Sequence, residues 1–236
     1  MFFSLMANDV RPFASEVHFT LPESLWSIKS GFFTSFGFEL LGSAPRQYRR
    51  ADEELLCSAP FARVWDAVRR KATRISEELL ASDPSLNDAV VLSIKAEYAR
   101  AIFWGNKRVE IRKAFSKKWS GQRVSFYASS PVSGLVGEAT ISHVVVDSPE
   151  EIWMRFGSSI GCKKEYFEAY TRSWPRVSAI VLEAITPYEK VIPRAELAGL
   201  INGRLRAPQT HCSLRDCRDW ARAVSVAALL HGGIRR

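Results

Sequence analysis

Three ionisable residues spaced to share a turn and a short strand carry the chemistry this sequence suggests. They are Lys107, Glu110 and Arg112, within Gly105-Asn106-Lys107-Arg108-Val109-Glu110-Ile111-Arg112. Arg108 to Arg112 alternates strictly, so Val109 and Ile111 are expected to face a core while Arg108, Glu110 and Arg112 share the other face. Lys107 falls in the turn before them, where a flexible ammonium can reach a phosphate or a carbonyl. An arginine offers a planar fork to a phosphate or a base edge, and a glutamate accepts from a base amine. The plainer alternative is a surface salt bridge, worth about 0–1 kcal/mol.

The surrounding charge favours a ligand. Nine basic residues against two acidic ones lie between Lys95 and Arg123, a local excess of +7 in a chain whose net charge is +8. Basicity focused in this way points to an anionic polymer or a nucleotide. Phosphate contacts are expected from Lys107, Arg112, Lys113, Lys117 and Lys118, with Glu110 recognising a base or nucleoside. Lys95 and Glu138, where strands end or turn, complete the expected cleft. Tyr127 and Ser129 are candidates for base stacking and a hydroxyl contact; for Tyr127 the alternative is a core tyrosine with a satisfied hydroxyl.

The elements that must position these groups can be read from periodicity and punctuation. Val90–Ile94 reads as a buried strand, and Glu97 to Trp104 as a short helix closed by Gly105. Strands follow from Arg108 to Arg112, from Gly121 through Tyr127, and from Leu135 to Val146. Gly137 marks a bulge or a close backbone approach in the last of these. Ser148-Pro149-Glu150-Glu151 supplies an N-cap, a proline at the first helical position and a capping-box acid. A second helix spans about 163–171, a closing strand runs from Val177 to Ile185 before Thr186-Pro187, and Pro193–Leu197 suggests one more short helix. Upstream, Glu16–Leu21 reads as a strand, Leu25, Ile28, Phe32, Phe33 and Phe36 recur at helical spacing, and strands follow at Phe38–Gly42 and Glu54–Ser58. A linking helix over 61–81 carries Val64, Val68, Ile75 and Leu79 on one stripe, ended by Ser82-Asp83-Pro84-Ser85. The expected organisation is an α/β segment over 1–60, a linker helix over 61–86, a small mixed β-barrel with flanking helices over 87–210, and a basic tail over 211–236, helix-like through Trp220, Val224, Ala227 and Leu230, with a frayed terminus. The fold class is α+β.

Composition bounds the rest. With 236 residues, 47% of them apolar, the chain has ample core material. No apolar run reaches the ~18 residues of a membrane span. Met1–Met6 lacks the basic flank and length of a signal segment, so a cytoplasmic protein without membrane contact is expected. Cys57, Cys162, Cys212 and Cys217 are scattered without a C-x-x-C pair, which suggests reduced thiols and no metal. The four histidines (His18, His143, His211, His231) give no readable catalytic dyad. No catalytic cofactor is expected, and the sequence leaves the oligomeric state open.

Taken in order, S-I-K-x-E-Y-A, G-N-K-x-x-E-I-R, G-x-R-V-x-F-Y-A-S-S-P, V-G-E and S-P-E-E-I-W resemble an ASCH domain, a branch of the PUA-like superfamily, over roughly residues 89–210. The resemblance implies a small β-barrel with a cleft beside the Gly-x-Lys-x-x-Glu-x-Arg segment. It also implies binding of RNA or a nucleotide, with a regulatory role in transcription or translation. Some relatives hydrolyse N4-acetylcytidine nucleosides or cleave RNA, which makes a hydrolase with Lys107 and Glu110 as catalytic pair the alternative. The amidohydrolase relatives place a threonine nucleophile where this chain has Glu110. Residues 16–58 resemble the C-terminal part of a GNAT-family N-acetyltransferase. An acetyl-CoA pyrophosphate loop of that family needs an Arg/Gln-x-x-Gly-x-Gly/Ala pattern, and the chain contains no Gly-x-Gly.

Overall fold

The computed structural model describes residues 15–50, 53–83, 86 and 88–232, the last three without their side chains. The expectations for Met1–Met6, for Pro84-Ser85 and for residues 233–236 lie outside them. The chain forms two compact units, one of residues up to Ile75 with 199–202, the other of Ser76–Ala198 with 203 onward.

In the first unit, strands β1 (Glu16–Pro22), β2 (Glu39–Ser43) and β3 (Glu54–Pro60) form an antiparallel sheet in the order β1-β3-β2. Helix α1 (Glu23–Thr34) follows β1, and α2 (Phe61–Ser82) begins directly after β3. Leu21, Phe38, Cys57, Val64 and Trp65 are buried here. The stripe read along α1 does form a helix, but none of its residues is buried, and Ile28 and Phe32 are exposed. Helical spacing shows that a face is apolar, not that something covers it.

The second unit is built on a six-stranded curled half-barrel in the order β5-β8-β7-β6-β4-β9. Its strands are β4 (Val90–Ile94), β5 (Val109–Arg112), β6 (Arg123–Ala128), β7 (Gly134–Asp147), β8 (Val177–Pro193) and β9 (His211–Ser213). Only β4 and β6 pair in parallel, and α3 (Ala96–Phe103) and β5 lie between them in sequence, as a parallel crossover requires. Leu92, Ile102, Phe126, Ile141 and Ile180 fill one core cluster, all fully buried. Helices α4 (Pro149–Phe156) and α5 (Lys164–Thr171) contribute Ile152 and Phe167 to a second cluster with Val109, Ile111 and Ala179. Ser148 caps α4 as its sequence implies, its hydroxyl accepting from the Glu151 N–H at 3.3 Å. Gly137 lies at a register shift, and a Cβ there would meet a Phe103 ring carbon at 2.5 Å and the Thr186 carbonyl at 2.6 Å.

Two elements differ from the sequence expectation. β8 does not stop at Thr186-Pro187 but continues to Pro193, with Pro187 opposite Gly137. β5 covers β8 only from Ser178 to Val181, so Pro187 lies where β8 has no paired neighbour on its β5 side, an edge position that tolerates proline. The basic tail, expected to be helix-like with a frayed terminus, forms that helix as α7 (Arg218–Gly232), after α6 (Arg194–Leu200), and also supplies β9, which the sequence does not announce and which pairs with β4. Trp220, Ala223, Val224 and Ala227 on α7 are buried, and an apolar face of that size outweighs the charge of the segment. No helix among the described residues is long and apolar enough to cross a membrane.

Candidate functional site

β5 carries its alternation into the half-barrel, with Val109 and Ile111 in the helix-covered cluster. Glu110, on the opposite face, is nevertheless 6% exposed, because that face lines the mouth of a cavity rather than bulk solvent. Lys107 is held by backbone on both sides of it. Its N–H bonds to the Ala101 carbonyl at 3.0 Å, and its neighbour Arg108 donates to Ser159 at 2.8 Å.

The three charged groups meet in one chain of contacts. Lys107 Nζ donates to the carbonyls of Val109 (2.9 Å) and Ile160 (2.8 Å) and lies 3.1 Å from Glu110 Oε2. The other carboxylate oxygen, Oε1, is 3.0 Å from Arg112 Nε, which is buried but not aligned for a hydrogen bond. Arg112 Nη2 donates to the Ser93 carbonyl on β4, tying one edge of the curled sheet across to the other side. With two cations and one carboxylate the group carries one net positive charge. All three ammonium donors of Lys107 are engaged, so it orients Glu110 and is not free to grip a ligand; the guanidinium Nη1 of Arg112 has no bonding partner among the described residues.

The cavity over this floor measures about 350 Å³, within the range of small-ligand sites. Tyr98, Ser129, Cys162, Tyr166, Tyr170 and Gln209 are among its other walls. Burial raises the Tyr98 phenol, with Glu97, Cys162, Glu110 and Tyr170 adding to it. Burial also raises Tyr170, with Arg112 opposing and Glu110 adding. Both phenols therefore stay protonated at neutral pH and can donate. The Cys162 thiol is raised by burial, with Lys107 opposing and Glu110 adding, which leaves it a thiol and a poor nucleophile.

The residues singled out from sequence divide as follows. Lys107, Glu110, Arg112, Lys95 and Ser129 all line this cavity. Lys95 is at the rim, mostly exposed, with its Nζ 3.9 Å from Glu97. Lys113 extends over the Tyr170 and Trp174 rings at 5.3 and 5.5 Å. Lys117 and Lys118 belong to a short 3₁₀ turn, Lys117–Trp119, and Lys118 lies over Trp119 in a separate hollow beside His211. Glu138 is outside the cavity, bonded to Arg123 at 3.3 Å. Tyr127 is 2% exposed and packs edge-on against Trp220 of α7, so it offers no face to a base. Sequence reasoning missed Tyr98, Tyr166, Tyr170 and Cys162. The pair Tyr166 and Tyr170, four apart on a helix with Phe167 turned inward, was the available signal. Among the described residues, no group of three His, Cys, Asp or Glu is arranged to hold a metal.

A curled half-barrel with flanking helices is the fold of the solved ASCH structures. The crystal structure of ASCH from Zymomonas mobilis superposes with a TM-score of 0.53 at 24% identity, covering 59% of this chain and 95% of that one. A tyrosine-to-phenylalanine variant of it gives 0.53 at 22% identity, over 60% and 98%. In sequence, residues 87–201 match the model of a domain of unknown function, DUF365. The chain is also 26% identical over 108 residues to the ASCH domain-containing ribonuclease of Zymomonas mobilis, spanning 46% of this chain and 72% of that protein. A further relative, the ATP synthase subunit alpha of Ureaplasma parvum, aligns at 26% identity over 145 residues, 59% of this chain but only 18% of its own length.

Proposed function

We propose that residues 87–210 form a module that binds single-stranded RNA or a nucleotide by taking one base into the 350 Å³ cavity, and that it serves a regulatory role in the cytoplasm. The observation that carries this is the cationic floor: a buried carboxylate fixed between Lys107 and Arg112 in the cavity wall, whose remaining lone pairs can accept from a base amine. Arg112 supplies its Nη1 donors, Ser129 and the phenols of Tyr98 and Tyr170 supply neutral polar contacts, and Lys95 and Lys113 stand where phosphates would run. Recognition of splayed bases by such a pocket is the common mode for RNA.

The test is fluorescence anisotropy of labelled single-stranded RNA titrated with the full chain at two salt concentrations. Binding is expected to weaken steeply with salt. Arg112→Lys, which keeps the charge and loses both the Nη1 donors and the tie to Ser93, is expected to weaken it at least about tenfold. Absence of binding, or an unchanged affinity in that variant, would overturn the proposal.

A second reading, RNA cleavage, is favoured by the likeness to a protein named as a ribonuclease. Incubation of the same RNAs followed by a denaturing gel separates it from simple binding. N4-acetylcytidine hydrolysis has less support, since Glu110 occupies the position expected of the attacking hydroxyl; chromatography after incubation with that nucleoside checks it. Acetyl transfer by residues 16–58 lacks the glycine pattern that a pyrophosphate loop needs.

A further inference from the structure

Beside the cavity, α5 and the turn after it present three large aromatics at a constant step of four: Tyr166, Tyr170 and Trp174. They are 69%, 44% and 40% exposed, an unusual degree for residues of this size placed together. Tyr166 and Tyr170 share one face of the helix and line the cavity. Trp174 continues the row, its N–H bonded to the Thr171 carbonyl at 2.8 Å. The acids of the helix, Glu165 and Glu168, project from other faces by helical geometry, and Glu168 is paired with Lys164 at 3.6 Å. The cation that does reach the row is Lys113, whose Nζ lies over both Tyr170 and Trp174.

We propose that this row is a stacking track for unpaired RNA, leading out of the cavity, so that the preferred ligand is a single strand of several nucleotides and not an isolated nucleotide. This rests on the proposed function above and extends it. Three features argue for that occupant. The row is continuous with the cavity, so a base seated on Glu110 has its neighbour at Tyr166 or Tyr170. Four residues of helix rise about 6 Å, more than the roughly 3.4 Å between bases stacked in a duplex, so only a splayed strand can place successive bases on successive rings. Aromatic faces with an interleaved cation are the recurring surface for single strands, because every base has a π-face and every step a phosphate. Lys113 is the group that exchanges its contact with the rings for the phosphate between two bases.

The experiment is calorimetric titration of the full chain with a ribonucleoside 5′-monophosphate, a single-stranded hexaribonucleotide and the same hexamer annealed to its complement. The hexamer is expected to bind at least about a hundredfold more tightly than the monophosphate, and the duplex more weakly than the single strand. Trp174→Ala is expected to weaken the hexamer about tenfold and leave the monophosphate unchanged, with Trp174→Phe restoring most of the loss. Lys113→Ala is expected to reduce the salt slope for the hexamer by about 0.7. If the monophosphate binds and the hexamer gains nothing, or the duplex binds equally well, the track is wrong and the cavity reading stands. If Trp174→Ala weakens both ligands alike, or neither, the track is likewise wrong. If no RNA or nucleotide binds, both fall together.

Discussion

Two groups in the second unit have the same make-up, a carboxylate between two cations, and one of them lines a cavity. Glu110 lies between Lys107 and Arg112 with side-chain exposures of 8%, 4% and 15%. Glu77, in the last turns of α2, lies between Arg218 and Arg222 of α7 at 31%, 71% and 26%. The exposed group fastens two helices, and water screens much of its energy. The buried one has surrendered its hydration and depends on its partners, so it holds one geometry and keeps a net charge aimed into a cavity. Environment, not residue type, makes the first a candidate for recognition and the second a staple.

The comparison can be broken by removing the central carboxylate of each. Glu110→Gln leaves two buried cations without a counter-charge and is expected to cost about 3–5 kcal/mol in urea unfolding. Should the loss stay below about 1 kcal/mol, the cavity floor is hydrated and the two groups are alike. An intermediate effect is expected at Gly161, whose φ is +73° and where a Cβ would stand 2.8 Å from Lys107 Cβ. Gly161→Ala should cost about 1–2 kcal/mol and weaken RNA binding by displacing the lysine that orients Glu110. Unaltered stability and affinity together would show that Lys107 has slack.

The smallest effect is expected at Glu77. Burial raises its carboxyl, but hydrogen bonds from Arg222 and Arg218 outweigh this and hold it below the usual range. A folded-state value below the unfolded one means stability that is fully present above about pH 4.3 and lost as pH falls through the lower folded value. Glu77→Gln should therefore flatten the acid limb of the stability profile while costing under about 1 kcal/mol at neutral pH. Urea midpoints at several acid pH values would check this.

Much of the frame was legible in the sequence, and the reasons for what was not are physical. Alternation at Val109-Glu110-Ile111 separates two faces of a strand, but it cannot say that the polar face looks into a mouth closed by α5 and the Ser93 carbonyl. That depends on contacts between segments far apart in the chain. The same applies to Tyr127, whose β6 position faces α7, a helix arriving about ninety residues later by the numbering. Gly137, in contrast, was readable, because a glycine inside an apolar strand has few local explanations. Pro187 misled, since proline is tolerated along an edge stretch, and β8 is an edge there once its pairing with β5 ends at Val181.

The link from Arg112 to Ser93 has a consequence for how ligand occupancy can be followed. The curled sheet is fastened across its opening there by one guanidinium rather than by a ladder of amides. An anion engaging the free Nη1 orders that guanidinium, and with it the strand whose carbonyl it holds. Deuterium uptake along Val90–Ile94 should then slow when the cavity fills, an unlabelled reporter in the strand whose Ser93 and Ile94 line it.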